Sequence, residues 1–288
     1  MSDTPQRWMT ERLHEGYLTA YRADKVYYEE GTGQWNLVIY ENARFGRMMS
    51  LDGVTQVTER DEFIYHEMMA HVPILAHGKA KNVLIIGGGD GGMLHQVTRH
   101  KGIEKITMVE IDKGVVDFAK THLGVICRNA FDDPRLDLVI ADGSLFVKKP
   151  PLKYDVIIVD STDPIGPGAV LFTQEFYRDV KGCLAEGGVV ITQNGVPFMQ
   201  ADELRSTMEK FRKLFTVATC YLATVPTYVG GPMAMGFGTN DESLLSVPLE
   251  TLEARFAVAG FATKYYTPEV HKAAFAHPVY VKEIVAGA

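Results

Sequence analysis

The chain has few cysteines, no long apolar run and no excess of positive charge. Its three cysteines, Cys127, Cys183 and Cys220, are too sparse and widely spaced for a disulfide framework or a zinc site. We expect them to be buried, reduced thiols. No apolar run reaches the roughly 18 residues that a membrane helix requires. Residues 1–12 lack the basic and then apolar pattern of a signal peptide, so we expect a cytoplasmic protein that does not enter a membrane.

The charge balance bears on the class of partner. The 288 residues carry a formal net charge of −7 at pH 7, which argues against nucleic acid, because the phosphate backbone attracts basic proteins. An acidic chain suits a cationic ligand, although many acidic proteins bind no cation. With 46% hydrophobic and 23% charged residues, the composition is that of an ordinary globular protein.

Two patterns of hydrophobicity divide the chain. Up to about Leu51, short alternating runs are separated by turn signals such as Asp52-Gly53, which predicts a small antiparallel β domain. Helical spacing from Glu59 to Ala76 adds a linking helix. After that, apolar runs alternate with helical segments, which predicts an α/β domain with a doubly wound, mostly parallel sheet. The predicted domains are residues 1–76 and 77–288, and the predicted strands of the larger sheet are 83–86, 105–111, 136–141, 154–160 and 189–193.

A glycine-rich loop follows the first of these strands. Gly87, Gly89 and Gly92 form a G-x-G-x-x-G pattern, in which glycine permits a tight turn and the close approach of a ligand to the backbone. Glu110 ends the next predicted strand, where a carboxylate accepts hydrogen bonds from ribose hydroxyls. The pattern predicts a site for a dinucleotide or for an S-adenosyl compound.

Asp90, inside the loop, distinguishes these two ligand classes. Its carboxylate would repel the pyrophosphate of a dinucleotide, which binds at the positive end of a helix. It would also repel the carboxylate of intact S-adenosylmethionine. It suits the ammonium that ends the tail of decarboxylated S-adenosylmethionine, which we therefore expect as a co-substrate, with no permanently bound cofactor. The alternative for Asp90 is capping of the following helix.

Asp142 and Gly143 end the third predicted strand. In a doubly wound sheet this point lies near the adenine of a bound nucleoside, so that Asp142 could accept a hydrogen bond from the exocyclic amine. The alternative is a plain Asp-Gly turn, since both residues favour turns.

Two carboxylates, Asp160 and Asp163, follow the fourth predicted strand. An alkyl amine has a pKa of about 10.4 and is almost fully protonated at neutral pH, so it needs a base before it can act as a nucleophile. One carboxylate can accept that proton, and the second can hold the far ammonium of a polyamine. The leaving group is a neutral thioether, so the chemistry needs no metal. The alternative for Asp163 is the opening of a turn before Pro164.

Two histidines and several polar residues are further candidates for the site. His66 and His71 are five residues apart, a spacing that places them on different faces of a helix and excludes the zinc motif. His66, Gln193 and Tyr228 are candidates to line an amine groove, because tyrosine packs against methylenes and offers a hydroxyl. Proline and glycine between Thr162 and Leu171 predict a surface loop.

Taken together, these segments resemble the spermidine synthases, the polyamine aminopropyltransferases, along nearly the whole chain. The resemblance is carried by several long motifs in order: Leu51-Asp52-Gly53 through Gln56, Glu59 to Glu67, Val83 to Gly92, Val109 to Asp112, Asp160 to Gly168, Pro226-Thr227-Tyr228, Tyr265-Tyr266 and His271 to Phe275.

The resemblance implies a methyltransferase-like Rossmann domain after an N-terminal β domain, a homodimer or homotetramer, and Asp160 as the catalytic proton acceptor. The family's nucleoside-contacting glutamine aligns with Trp35, or with Gln34 if the register slips by one. Two sets of ligand contacts follow: the donor at Gln56, Gly87, Asp90, Glu110, Asp142, Gly143 and Pro167, and the polyamine at His66, Asp90, Asp160, Asp163, Gln193 and Tyr228.

The predicted reaction transfers the aminopropyl group to putrescine, giving spermidine and 5′-methylthioadenosine. Cadaverine, agmatine or spermidine as acceptor, and an amine N-methyltransferase that uses intact S-adenosylmethionine, are the alternatives. Asp90 argues against that methyltransferase and against an NAD-dependent oxidoreductase. A polyamine-binding sensor without catalysis would not need a base at Asp160.

Overall fold

A tight turn at Asp52 and Gly53 joins two strands of the N-terminal region. The computed structural model describes residues 6–31, 35–164 and 166–287, without the side chain of Pro167. Asp52 and Gly53 have positive φ angles of 49° and 81°, as a type I′ hairpin turn requires. The antiparallel strands are β1 (Arg7–Glu11) paired with β2 (Thr19–Ala23), then a four-stranded sheet of β3 (Lys25–Gly31), β4 (Asn36–Asn42), β5 (Gly46–Leu51) and β6 (Val54–Thr58). The predicted antiparallel region is confirmed.

The central sheet of the larger region has seven strands within the described residues, in the order β12-β13-β11-β10-β7-β8-β9. The five strands from β7 to β11 are parallel, and β13 is antiparallel to both of its neighbours. Their bounds are β7 (Asn82–Gly87), β8 (Lys105–Glu110), β9 (Leu136–Ile140), β10 (Tyr154–Asp160), β11 (Leu184–Gln193), β12 (Val217–Ala223) and β13 (Met233–Thr239). This is the predicted doubly wound, mostly parallel, Rossmann-like sheet.

Strand β7 shows why the apolar runs are continuous. Val83 and Ile85 belong to the apolar cluster on one face of the sheet, and Leu84 and Ile86 to the cluster on the other. A strand that is buried on both faces needs apolar residues at every position. The helices that cover the faces are α1 (Glu62–His77), α2 (Gly92–Thr98), α3 (Lys113–His122), α4 (Gly124–Cys127), α5 (Gly143–Phe146), α6 (Gln174–Cys183), α7 (Ala201–Arg212), α8 (Leu249–Ala259), α9 (Pro268–Ala274) and α10 (Val279–Ala286).

Helix α1 is buried along nearly its whole length, because it packs against α2 and the strands β10, β11 and β12. It therefore connects the N-terminal strands to the central sheet by direct contact. The division of the chain after residue 76 stays a prediction. Within the described part of the chain, none of the helices has the length and apolarity needed to span a bilayer.

The segment after β10 differs from its prediction. Gly166–Phe172 forms a 3₁₀ helix, so the expectation of an irregular loop over Thr162–Leu171 is wrong for its second half. This helix packs against α5 and α6, and Leu171 joins the neighbouring apolar cluster. Burial of this kind outweighs the low helical propensity of glycine and proline, and a short 3₁₀ turn tolerates both. Ile165 lies outside the described residues.

Candidate active site

A cleft opens where β7 and β10 end. The chain builds the sheet outward from β7 in one direction and from β10 in the other, so the carboxyl ends of these two strands form the switch point at which such sheets bind ligands. Gly87 and Asp160 pair across the strands, and Gly88 N donates to Asp160 O at 3.0 Å. The cleft encloses about 190 Å³, against about 20 Å³ for a smaller cavity beside β1. It is therefore the candidate ligand site.

The structure brings the predicted site residues to this one cleft. Trp35 also lines it, whereas Gln34 and the side chain of Pro167 lie outside the described residues. The predicted residues that line the cleft are Gln56, His66, Gly87, Asp90, Glu110, Asp142, Gly143, Asp160, Asp163, Gln193 and Tyr228. Their individual roles stay predictions.

Asp160 lies at the centre of the cleft, at the end of β10. Tyr65 donates its hydroxyl proton to Asp160 Oδ1 at 2.6 Å, and the buried Oδ2 has no hydrogen-bond partner within the described residues. Burial and the charge of Asp90 raise the pKa of Asp160 to about 6, although His66 and Tyr65 oppose this rise. A Cβ atom at Gly88 would lie 2.9 Å from Oδ2, so glycine leaves room for that oxygen. Asp160 has the open lone pair that a proton acceptor needs.

Asp90 faces both the backbone and a histidine. Its Oδ1 accepts from Gly92 N at 2.7 Å and lies 3.6 Å from His66 Nε2. Asp90 therefore accepts the first N–H of α2 from the position before its N-cap, Gly91, while it also faces the cleft. A Cβ atom at Gly92 would lie 2.2 Å from the His66 ring, so the last glycine of the motif makes room for His66.

One end of the cleft combines a buried carboxylate with apolar walls. Glu110 Oε1 accepts from Asp112 N at 2.9 Å, and burial raises the pKa of Glu110 to about 7. Asp142 caps α5 by accepting from Ser144 N at 2.7 Å, so its structural alternative is present as well. The apolar walls between these carboxylates are Ile86, Val109, Ile111 and Leu171. A polar rim around an apolar slot suits a nucleoside.

The opposite end of the cleft is polar. Gln193 Nε2 donates to Asp163 Oδ1 at 2.9 Å, and the buried Gln193 Oε1 has no partner within the described residues. The Tyr228 hydroxyl donates to Gln56 O at 2.5 Å, and the Tyr228 ring lies edge-on to Tyr65 with centroids 5.9 Å apart. Aromatic walls and a carboxylate suit an alkyl chain that ends in an ammonium group.

Several cleft residues were not singled out from the sequence. Tyr65 directly precedes His66, but only the orientation of α1 shows that its hydroxyl reaches Asp160. Glu11 comes from β1, where its Oε2 accepts from Thr55 N at 2.7 Å. Glu203, on α7, does not line the cleft, but burial and the charge of Asp163, which does, raise the pKa of Glu203 to about 8. No spacing signal in the sequence points to these three residues.

The acidic groups of the cleft are not arranged as a metal site. Within residues 6–31, 35–164 and 166–287, no group of three or more His, Cys, Asp or Glu side chains is placed to hold a metal ion. Asp90 and Asp160 both line the cleft.

A Rossmann-like domain with a glycine loop at its switch point belongs to the class of folds that bind nucleoside-containing ligands there, and the partly buried Asp90 and Asp160 add negative charge to that site. The family model described as "Spermine/spermidine synthase domain" matches residues 62–246, and "Spermidine synthase tetramerisation domain" matches residues 7–59. The chain belongs to the spermine/spermidine synthase family and is a polyamine aminopropyltransferase.

Relatives and solved structures agree along the whole length. A polyamine aminopropyltransferase of Ruegeria sp. (strain TM1040) is 59% identical over 281 residues, which cover 98% of this chain and 99% of the relative. Polyamine aminopropyltransferase 1 of Pseudomonas aeruginosa is 54% identical, with 96% of each chain covered. A spermidine synthase in complex with the transition-state analogue AdoDATO superposes with a TM-score of 0.92, 35% identity, and coverage of 98% of this chain and 96% of that chain. Spermidine synthase from Thermotoga maritima superposes with a TM-score of 0.89 at 34% identity, with coverage of 99% of this chain and 96% of that chain.

Proposed function

We propose that this enzyme transfers the aminopropyl group of decarboxylated S-adenosylmethionine to putrescine, forming spermidine and 5′-methylthioadenosine. The observation that carries the proposal is the setting of Asp160. One of its carboxylate oxygens is held by Tyr65, and the other is buried without a partner within the described residues. A carboxylate that is fixed in place and still has an open lone pair is suited to accept a proton.

In the proposed reaction Asp160 accepts a proton from one ammonium group of putrescine. The freed amine attacks the methylene carbon bound to the sulfonium of the donor, the carbon–sulfur bond breaks, and its electron pair stays on sulfur as a neutral thioether. Deprotonating an alkyl amine at pH 7 costs about 4–5 kcal/mol, at 1.36 kcal/mol per pKa unit. A positioned base in a dry cleft reduces that cost.

The donor would lie along the glycine loop. Asp90 would hold the ammonium of the aminopropyl tail, and Glu110 would accept from the ribose hydroxyls. Asp142 and Gly143 would contact adenine, with Gln56, Gly87 and Pro167 as further donor contacts. The carboxylate of intact S-adenosylmethionine would face Asp90, and like charges that meet inside a site cost several kcal/mol. The AdoDATO complex of a structural relative supports an adenosyl donor.

The acceptor would extend from Asp160 toward the polar end of the cleft. Asp163 and Gln193 would hold the far ammonium, with His66 and Tyr228 along the chain. The length of this segment would decide between putrescine and the alternatives cadaverine, agmatine and spermidine.

The assembly is part of the proposal. The family description names a tetramerisation domain over residues 7–59. Trp8 and Leu18, in and beside the β1–β2 hairpin, are 54% and 46% exposed, and exposed apolar groups of this size favour a protein interface. We expect a homodimer or homotetramer, which sedimentation velocity would measure. The cytoplasmic location expected from the sequence stays a prediction.

The test crosses two donors with four acceptors. Decarboxylated and intact S-adenosylmethionine are each incubated with putrescine, cadaverine, agmatine and spermidine, and the nucleoside and amine products are identified by mass spectrometry. We expect 5′-methylthioadenosine and spermidine from the decarboxylated donor and putrescine. S-adenosylhomocysteine with a methylated amine would instead support the methyltransferase, and a faster reaction with another diamine would reassign the acceptor.

A further inference from the structure

Glu62 lies next to the cleft but has no role in the reaction described so far. In the first turn of α1, its Oε2 lies 2.8 Å from His66 Nδ1. The other ring nitrogen, Nε2, lies 3.6 Å from Asp90 Oδ1. The side chains of Glu62, His66 and Asp90 are 9%, 2% and 12% exposed, so all three are largely withdrawn from water. The imidazole ring therefore lies between two buried carboxylates.

Packing holds the ring in this orientation. The His66 ring packs directly against Gly92, where a Cβ atom would lie 2.2 Å from the ring. Tyr65 packs edge-on against the ring, with centroids 5.3 Å apart. Glu62 and His66 are four residues apart and so lie on one face of the helix, where their side chains meet. The geometry of α1 therefore fixes the contact between Glu62 and Nδ1 of His66.

A ring whose two nitrogens both face carboxylates is satisfied when both nitrogens carry protons. A neutral ring would turn a lone pair toward one of the carboxylates. Burial lowers the pKa of His66, but the nearby charge of Asp90 and the hydrogen bond with Glu62 raise it well above its ordinary value. His66 is therefore an imidazolium in the empty cleft.

The remaining titratable groups around the ring fit this charge. Asp160, at the end of β10, is a further carboxylate whose pKa His66 lowers. On α2, burial and nearby cations that include His66 lower the pKa of His95 to about 4, so His95 is neutral at pH 7. Arg99, at the C-terminal end of α2, interacts electrostatically with Glu62 and lowers the pKa of His95. The pKa of Tyr65 is raised by burial and by Asp160, so Tyr65 is neutral.

The proposed function, on which this inference rests, brings a second cation to Asp90. The ammonium of the donor tail would meet Nε2–H of the imidazolium at the same carboxylate. We propose that Glu62 is a positioning residue that keeps the Nδ1 proton on His66, so that donor binding at Asp90 releases the Nε2 proton to solvent. The Nε2–H bond breaks, its electron pair stays on the ring as a lone pair, and that lone pair accepts a hydrogen bond from the donor ammonium.

This mechanism separates two ligands that share a nucleoside. The cationic donor releases the His66 proton, whereas 5′-methylthioadenosine, which has no ammonium, leaves it in place. Burial raises the pKa of Glu110 to about 7, so binding of the ribose hydroxyls there releases some proton with either ligand. The difference between the two ligands isolates the release at Asp90.

Isothermal titration calorimetry of the intact enzyme measures this difference. Each ligand is titrated at about pH 7.5 in phosphate and in Tris, whose ionisation enthalpies differ, and the wild type should release about one proton more with the donor than with 5′-methylthioadenosine. Glu62→Gln, which removes the carboxylate at Nδ1, should reduce this excess to less than about half, because the ring is then largely neutral before binding. Glu104→Gln, at an exposed carboxylate with 68% side-chain exposure, should keep the full excess.

Equal proton numbers for the two ligands in the wild type would overturn the proposal, and an undiminished excess in Glu62→Gln would overturn the role of Glu62. Binding of 5′-methylthioadenosine reports whether that variant keeps its cleft. If Glu62→Gln does not bind 5′-methylthioadenosine, His66→Gln is used in its place and should abolish the excess of released protons. An excess that persists in His66→Gln contradicts the proposal. Turnover of the decarboxylated donor without an excess would disprove this inference alone, whereas turnover of intact S-adenosylmethionine instead would disprove the proposed function.

Discussion

The two ends of the cleft are built in different ways. The proposed nucleoside end comes from consecutive units of the sheet, because Gly87, Glu110 and Asp142 lie at or just beyond the ends of β7, β8 and β9. The proposed amine end comes from distant parts of the chain, where Gln193 contacts Asp163 and Tyr228 contacts Gln56. Repetition of one strand–helix unit is enough to form the first end, whereas the second requires the whole tertiary structure.

The proposed nucleoside end and the centre of the cleft also differ in how their carboxylates are satisfied. Glu110 and Asp142 accept backbone N–H groups, which orient them in the empty cleft. At the centre, Asp160 keeps one oxygen without a partner within the described residues. Preformed hydrogen bonds favour tight, oriented binding of a nucleoside, and an open oxygen favours proton transfer. The following predictions test this division between binding at one end and chemistry at the centre.

The largest effect is expected at Asp160. Asp160→Asn keeps the shape but removes the base, so kcat should fall by about 10² or more while the dissociation constant of the donor changes little. Steady-state kinetics and calorimetry would measure the two quantities. Asp202→Asn, at a side chain that is 97% exposed on α7, is the matched control and should leave kcat unchanged. Turnover near that of the wild type would remove Asp160 from the mechanism.

A change at Asp90 should alter the choice of donor. Asp90→Asn removes the charge that would attract the donor ammonium and repel the carboxylate of intact S-adenosylmethionine. The ratio of the two dissociation constants should fall by about tenfold or more, because a like-charge clash inside a site is worth several kcal/mol. Calorimetric titration of both donors gives this ratio. An equal rise in the dissociation constants of both donors would show that Asp90 acts only through its hydrogen bond with Gly92 N.

Tyr65 should set the pH dependence of the base. A proton acceptor works only when ionised, so kcat/KM should decline as the pH falls through about 6, the pKa to which burial raises Asp160. Tyr65→Phe removes a hydrogen bond that stabilises the ionised form, so the acid limb should move to higher pH and kcat at neutral pH should fall by up to about tenfold. An unchanged acid limb in Tyr65→Phe would separate this hydroxyl from the titration of Asp160.

The smallest effect is expected at Asp163, at the far end of the acceptor. Asp163→Asn should raise KM for putrescine by about tenfold, because a hydrogen bond to a charged group is worth about 1.5–3 kcal/mol. Butylamine has the same chain without the second ammonium and should react equally poorly with the wild type and the variant. Equal losses for both amines would mean that Asp163 shapes the loop and does not bind the far ammonium.

Much of the fold follows from the sequence because local rules apply to it. The apolar runs predicted as 105–111, 136–141 and 154–160 form β8, β9 and β10 with ends that agree within a residue. Burial on both faces gives β8 and β10 continuous apolar runs, whereas β9 is a half-buried edge strand with a weaker signal. The segment Gly166–Phe172 was mispredicted, since its helix depends on packing against α5 and α6 and not on its own propensity.

The residues of the candidate site also divide into those that local rules predict and those that depend on tertiary packing. Residues at strand ends, such as Asp90, Asp160 and Asp163, are recognisable because the position of a strand end in a doubly wound sheet fixes where its side chain must lie. The hydroxyl of Tyr65 on Asp160 and the approach of Glu11 from β1 are contacts between separate elements, whereas Glu62 and His66 meet within α1. Sequence alone determined the sheet, the glycine loop and the acidic strand ends. Only the tertiary structure decided which second groups meet them, because those contacts depend on how α1 and the N-terminal strands pack against the sheet.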